Sequence, residues 1–238
     1  MTLICMMMVS CGKKKHNGHE YVDLGLSVKW ATCNVGATSP EDFGHYFAWG
    51  ETSPKDEYTE DNCSTCGKQM SDIAGNAQYD AATANWGGDW RMPTKAEQEE
   101  LLNNCTWTWT TQNGVNGYNV KGPNGNSIFL PAAGSRKSSL YGAGSGGGYW
   151  GSTPYDYSDD YSDLCDYSDD YSDLYDYSYF FDHLYDHLYD DSDDDSDDYS
   201  YFFVPFHDHA YYLYFSSDFH YMRYDYRYYG HSVRPVLE

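Results

Sequence analysis

The sequence predicts an α+β fold, two short helices and antiparallel sheets, carrying a long acidic insert of Tyr, Asp and Ser. Three observations predict it. A helix-start motif stands near residue 94, short segments of period-two alternation are separated by Gly- and Asn-containing turns, and the composition changes abruptly between Tyr155 and Asp208. With 238 residues, 40% of them hydrophobic, the chain can bury one sizeable core, and a single domain with an insert fits better than two domains.

At the amino end, the apolar run Leu3 to Val9 leads into Val9-Ser10-Cys11-Gly12 and then Lys13, Lys14 and Lys15. The pattern is similar to a bacterial lipoprotein signal with Cys11 as the lipidated residue. No Lys or Arg precedes the apolar run, so residues 1–11 read as a truncated signal and 12–19 as a linker. No other run approaches the roughly 18 apolar residues of a spanning helix. Membrane attachment is therefore expected only through the lipid anchor, placing the protein in a bacterial cell envelope, at the outer membrane or cell surface.

Glu20 to Ala31 reads as a hairpin, with Tyr21, Val22, Val28 and Trp30 as strand formers and Leu24-Gly25-Leu26 as the bend. His45 to Trp49 is a further short strand candidate, and the polar stretch from Glu51 to Gly75 a long loop. A short helix is expected near Tyr79 to Trp86, stopped by Gly87-Gly88. Thr94 followed by Glu97 is a capping box: each side chain satisfies a backbone N–H that the first helical turn leaves unpaired, which predicts a helix over Lys95 to Asn103.

From Thr106 the period becomes two, with Trp107 and Trp109 on one side and Thr106, Thr108 and Thr110 on the other. Turns at Gly114 to Gly117 and Gly122 to Gly125 then make Tyr118 to Lys121 and Ser127 to Leu130 the next strands of a meander. Ala143 to Gly148 reads as a Gly-rich connector. It lacks the flanking strand and helix of a phosphate-binding loop. After the insert, Tyr211 to Phe215, Phe219 to Arg223 and Ser232 to Val236 read as three strands, the last ending the domain beside its beginning.

Four cysteines, Cys33, Cys63, Cys66 and Cys105, lie in the ordinary part of the chain and permit three pairings. Cys63-Ser64-Thr65-Cys66 could be half a zinc site or a redox pair. There is no second CxxC and no strand-then-helix pattern around it, which favours a polar loop with a local disulfide or free thiols.

The insert is built from YDYSDDYSDL (Tyr155 to Leu164) and CDYSDDYSDL (Cys165 to Leu174), with a decaying third copy from Tyr175. Nineteen of the net 23 negative charges sit between Tyr155 and Asp208, a span without Lys, Arg or Glu. So acidic a chain is not built to bind nucleic acid, whose phosphates require Lys and Arg. With no Gly or Pro before its end and no clean helical or strand face, the insert reads as a poorly ordered, expanded loop. Asp191 to Asp197 places carboxylates at alternate positions, yet an EF-hand loop would need Gly and Glu where Ser196 and Phe202 stand. Weak, diffuse Ca²⁺ binding is the most this run offers; no cofactor and no shaped metal site is expected. His183, His187, His207 and His209 cluster in sequence, but loop histidines are more often solvated than metal-bound.

Several segments carry a family resemblance: EYVDLGLSVKWATCNVGA (Glu20 to Ala37), YFAWGETSPK (Tyr46 to Lys55), NWGGDWRMPTKAEQEELLNNCTW (Asn85 to Trp107), GPNGNSIFLPAAG (Gly122 to Gly134), GYWGSTP and RYYGHSVRPV. Together they resemble the Bacteroidales major-paralogous-domain proteins, over about 170 residues. That resemblance implies a C-type-lectin-like fold spanning 20–238, with 155–208 as the insert. The stretch from YWGSTP to RYYGHSVRPV also looks like the variable region of target proteins of diversity-generating retroelements, in which AAY codons are randomised to NNY. The tract's alphabet of Tyr, Asp, Ser, His, Phe, Leu, Cys and Arg fits that codon rule.

By this resemblance Asp156, Tyr157, Ser216, Phe219, His220, Tyr221, Arg223, Tyr224, Asp225, Tyr226 and His231 would be diversified positions on one ligand-binding face. Met222, Arg227, Tyr228, Tyr229 and Gly230 would be framework. Tyr with Ser and Asp also makes physical sense as a binding alphabet, giving large contact area and adaptable hydrogen bonds at low entropy cost. The plain reading, packing within strands, suits Tyr212, Tyr214 and Tyr228.

The expected function is non-catalytic binding of a protein or other macromolecule at the cell surface. A structural or adhesive envelope protein with an acidic, cation-binding spacer is the alternative. Formylglycine-generating enzymes share the implied fold, but no matching active-site Cys is found, nor a recognisable triad or carboxylate pair. The sugar-binding strings EPN and WND are also lacking.

Overall fold

The computed structural model describes residues 14–155 and 207–238. The expectations for Cys11, Asp156, Tyr157, the ten-residue repeats and Asp191 to Asp197 lie outside the described residues. The described part is a strand-rich α+β structure of antiparallel sheets and two short helices.

β1 (Lys14–His16) and β2 (His19–Val22) form a hairpin, so the linker expected over 12–19 is structured from Lys14 onward. Asn17 and Gly18 make its turn with φ of 45° and 86°, the backbone that an Asn-Gly pair adopts readily. The tip is fastened to the body. His19 stacks on Trp86 with ring centres 3.7 Å apart, and Trp90 Nε1 donates to the His16 carbonyl at 3.0 Å. β2 pairs with β3 (Lys29–Ala31) across the predicted bend, and β12 (Val236–Leu237) joins β3 with Val236 opposite Trp30. The first and last strands of the described residues thus share one sheet. The predicted final strand over Ser232 to Val236 is shorter than expected; Ser232 makes only an isolated parallel bridge, to Tyr149.

α1 (Ala81–Trp86) is capped by Asp80, whose buried carboxylate accepts from the N–H groups of Ala82, Thr83, Gly75 and Met92. α2 (Lys95–Asn104) begins with the predicted capping box: Glu97 N–H donates to Thr94 Oγ1 at 3.3 Å and Thr94 N–H to Glu97 Oε2 at 2.8 Å. Arg91 completes the cap with a two-pronged pair to Glu97 at 2.8 and 2.6 Å. The meander follows as β4 (Thr106–Gln112), β5 (Val115–Lys121) and β6 (Ser127–Pro131), with Trp109 opposite Tyr118 and Tyr118 opposite Leu130. A small hairpin of β7 (Ser135–Arg136) and β8 (Leu140–Tyr141) comes next.

The central sheet runs in the order β11 (His220–Tyr226), β10 (His209–Ser216), β9 (Gly146–Pro154). Two sequence expectations change here. The Gly-rich connector is the start of β9, glycine-built because neighbours fill the space a side chain would take. A Cβ at Gly147 would stand 2.7 Å from the Phe215 ring, and one at Gly148 would stand 2.3 Å from His231 Nδ1. Conversely, His45 to Trp49 is not a strand. Tyr46 to Trp49 are buried, but Phe47 makes only an isolated bridge, to His231. Burial there comes from packing without a ladder partner.

β10 is buried on both faces, which explains its unbroken run of large apolar side chains. Tyr212 joins a core with Trp49, Trp90 and Trp150, whereas Leu213 and Phe215 join a second core with Trp30, Leu101 and Tyr149. Cys63 and Cys66 form a disulfide within the polar loop, while Cys33 and Cys105 are free thiols.

Candidate functional site: the hairpin of β10 and β11

The register of this hairpin decides which side chains share a face. Ser216 N–H donates to the Phe219 carbonyl at 2.9 Å and Arg227 N–H to the Asp208 carbonyl at 2.6 Å. Both ends give the same phase, so Phe219, Tyr221, Arg223 and Asp225 lie on one face with Ser216, Tyr214 and Tyr212 opposite them. His220, Met222, Tyr224 and Tyr226 lie on the other face.

On the first face, Tyr214, Phe219 and Tyr221 form an aromatic group with ring centres 5.6 to 6.1 Å apart. Phe219 is 45% exposed and Tyr221 37%. The Arg223 guanidinium stands 5.8 Å from the Tyr221 ring centre and is exposed. Two flat rings beside a planar cation make a surface able to stack on, and hydrogen-bond with, a partner. Tyr214, set aside by sequence as a packing residue, contributes to this group as well as to the core. Its signal was the pairing register, which brings it opposite Tyr221. Ser216 is half-buried at the hairpin end, where its Oγ accepts from Asp218 N–H at 3.4 Å.

The expected site residues do not all belong to that surface. His231 is buried, stacked on Tyr212 with ring centres 4.6 Å apart and edge-on to Trp150. Its Nε2 lies 3.0 Å from Asp225 Oδ2. His231 is therefore a core residue rather than a displayed one, and it draws Asp225 inward with it. The same burial, with the charge of Asp225 as a second cause, holds the Tyr212 phenol well above its ordinary pKa.

On the second face His220 stacks on Trp107 at 4.7 Å, and burial lowers its pKa. Tyr224, 47% exposed, stacks on Tyr155 at 4.0 Å, and Tyr226 lies against His209 at 4.2 Å. Burial pushes the His209 imidazole down to about 4. A shallow groove of about 370 Å³ runs between α2 and β11, lined by Glu99, Leu102, Asn103, His220, Tyr221 and Met222.

The expected framework positions support this surface. Met222 packs on the second core. Arg227 is buried over the Trp49 ring at 4.5 Å and donates to the carbonyls of Thr65, Lys68 and His209; burial lowers its pKa to about 10. Arg234 plays a similar part between the two ends of the chain. It donates to Asn34 Oδ1 and to the carbonyls of Ala31, Thr32 and Phe129. Its role was not legible in sequence, because nothing distinguishes a buried Arg from a surface one near a chain end.

Among the described residues, no three His, Cys, Asp or Glu side chains gather as a metal site, and no helix is long and apolar enough to cross a membrane. Comparison of the chain with family models, with curated proteins and with solved structures finds no match.

Proposed function

We propose that the protein is a non-catalytic ligand-binding protein whose hairpin of β10 and β11 is a diversified display face on a C-type-lectin-like scaffold. The ligand is a protein or other macromolecule. The observation that carries this reading is the concentration of exposed large aromatics on the edge strand β11 and the turn just before it, in a sheet otherwise buried on both faces. Phe219, Tyr221 and Tyr224 are three of the five exposed large hydrophobics among the described residues. Exposed rings grouped with an Arg are the composition of binding hot spots, and an isolated fold gains nothing by leaving them in water.

The division of labour along the strand supports diversification. Phe219, Tyr221 and Arg223 are exposed side chains, whereas Arg227 and Gly230, expected as framework, are buried; Tyr224 is exposed too but stacks on the buried Tyr155. His231 falls on the framework side of that division. Burial also argues against catalysis by the Asp225 and His231 pair. The imidazole's second nitrogen, Nδ1, faces the Gly148 backbone, where not even a methyl group would fit, so no nucleophile could stand there.

The DNA flanking the coding region tests the diversification idea. A neighbouring reverse transcriptase together with an adenine-rich near-copy of the 155–231 segment supports it; flanks lacking both would count decisively against it.

A further inference from the structure

The loop from Cys63 to Lys68 grips the base of the display hairpin at both of its ends. Gly67 N–H donates to Asp208 Oδ1 at 2.5 Å, one residue before β10. One residue after β11, Arg227 Nη1 donates to the carbonyls of Thr65 at 3.1 Å and Lys68 at 2.8 Å. Thr65 is itself buried, and its Oγ1 donates to the Trp49 carbonyl at 2.6 Å, beneath the ring on which the Arg227 guanidinium rests. Among the described residues no carboxylate forms an ion pair with Arg227, although Asp208 acts on it from a distance. The buried cation is therefore satisfied by carbonyl dipoles, and two of its three carbonyl acceptors belong to this loop. The Cys63–Cys66 disulfide closes the loop across three residues, and both cysteines are half-buried.

We propose that the Cys63–Cys66 disulfide is a thiol-cleavable clasp that sets how firmly the hairpin of β10 and β11 is held. That this hairpin binds a ligand rests on the function proposed above; the clasp does not. In the opening step a thiolate of a dithiol attacks Cys66 Sγ, the disulfide breaks, and Cys63 leaves as thiolate. Cys66 N–H already donates to Cys63 Sγ at 3.1 Å, which stabilises that leaving group. The second thiol of the dithiol then resolves the mixed disulfide. Two electrons and two protons pass to Cys63 and Cys66, and the reductant ends as a cyclic disulfide. The freed turn no longer holds the Thr65 and Lys68 carbonyls on Arg227, so the hairpin base loosens while the remote elements keep their packing.

Hydrogen exchange read by mass spectrometry on the whole chain, with and without dithiothreitol, tests the clasp. Reduction is expected to speed exchange at least tenfold over residues 63–68 and 208–228, leaving α2 and the β4 to β6 meander unchanged. The double substitution Cys63→Ser with Cys66→Ser should reproduce the reduced pattern without reductant. Arg227→Lys keeps the charge, but its ammonium ends short of the Nη1 position and gives up the Nε bond to the His209 carbonyl and the planar stack on Trp49, so its hairpin should exchange fast even when oxidised and respond little to reduction.

Unchanged exchange over 208–228, once alkylation confirms that Cys63 and Cys66 are reduced, would overturn the proposal. So would acceleration spread evenly over the chain, or a full tenfold response persisting in Arg227→Lys. None of these readouts requires a ligand, so a failed clasp is distinguishable from a failed display reading.

Discussion

His231 Nε2 sits 3.0 Å from Asp225 Oδ2, joining a residue buried between Tyr212 and Trp150 to one on the edge strand. The pair fixes the end of β11 against the body of the protein. Asp225→Ala should leave the His231 imidazole buried with neither nitrogen satisfied. Loss of one partner of a buried hydrogen bond costs about 1–3 kcal/mol. Thermal unfolding should register it as a fall of about 2–4 °C per kcal/mol for a domain of this size.

Substitution along β11 should separate display from framework. Phe219→Ser and Arg223→Ser remove exposed side chains and should change unfolding free energy by no more than about 0.5 kcal/mol. Phe215→Ala, one strand away but fully buried among Tyr118, Tyr149 and Trp107, should cost about 3–5 kcal/mol. Urea unfolding of the three variants compares them directly; equal losses at all three positions would mean that β11 packs rather than displays.

Arg234 should be among the least replaceable residues in the chain. Its guanidinium ties Ala31, Thr32 and Asn34 to Phe129, so Arg234→Met leaves three buried acceptors and one half-buried one without their donor. At about 1.5–3 kcal/mol for a hydrogen bond to a charged group, the loss should exceed about 3 kcal/mol. Circular dichroism of the purified variant at room temperature would register it as partial or complete unfolding.

Stability should fall on acidification through the window set by His209. Its folded pKa, about 4, lies below the ordinary value of 6.5, so the unfolded chain binds the proton more readily. The contribution is complete above pH 6.5, declines as pH falls toward 4, and amounts to about 3 kcal/mol in all. His19 and His220, also lowered by burial, act in the same direction. His209→Gln should flatten the dependence of unfolding midpoint on pH between 6.5 and 4, and an unflattened profile would assign the effect to the other groups.

The helix starts and the meander were legible because their signals are local. Thr94 and Glu97 make their capping box within one turn, and the alternation of Trp107 and Trp109 needs only a neighbouring strand. The hairpin at Asn17-Gly18 also has a local signal, since that dipeptide favours a tight turn, but the stretch was expected as a linker because of the lysines that precede it. What the sequence hides is tertiary. Glycines at 147 and 148 look like a linker because the rings that exclude a side chain, Phe215 and His231, lie far away in the chain. His231 reads as one more variable residue for the same reason. Its burial follows from Tyr212 and Trp150 closing around it, and neither residue is near it in sequence.

Grafting residues 155–231 onto a second scaffold that carries the same flanking segments around a different stretch, and comparing the ligand preferences of donor, recipient and graft by surface plasmon resonance, tests the proposed display most directly. The graft should bind what the donor binds and lose what the recipient binds. A graft that keeps the recipient's preference would place recognition in the scaffold and contradict the account.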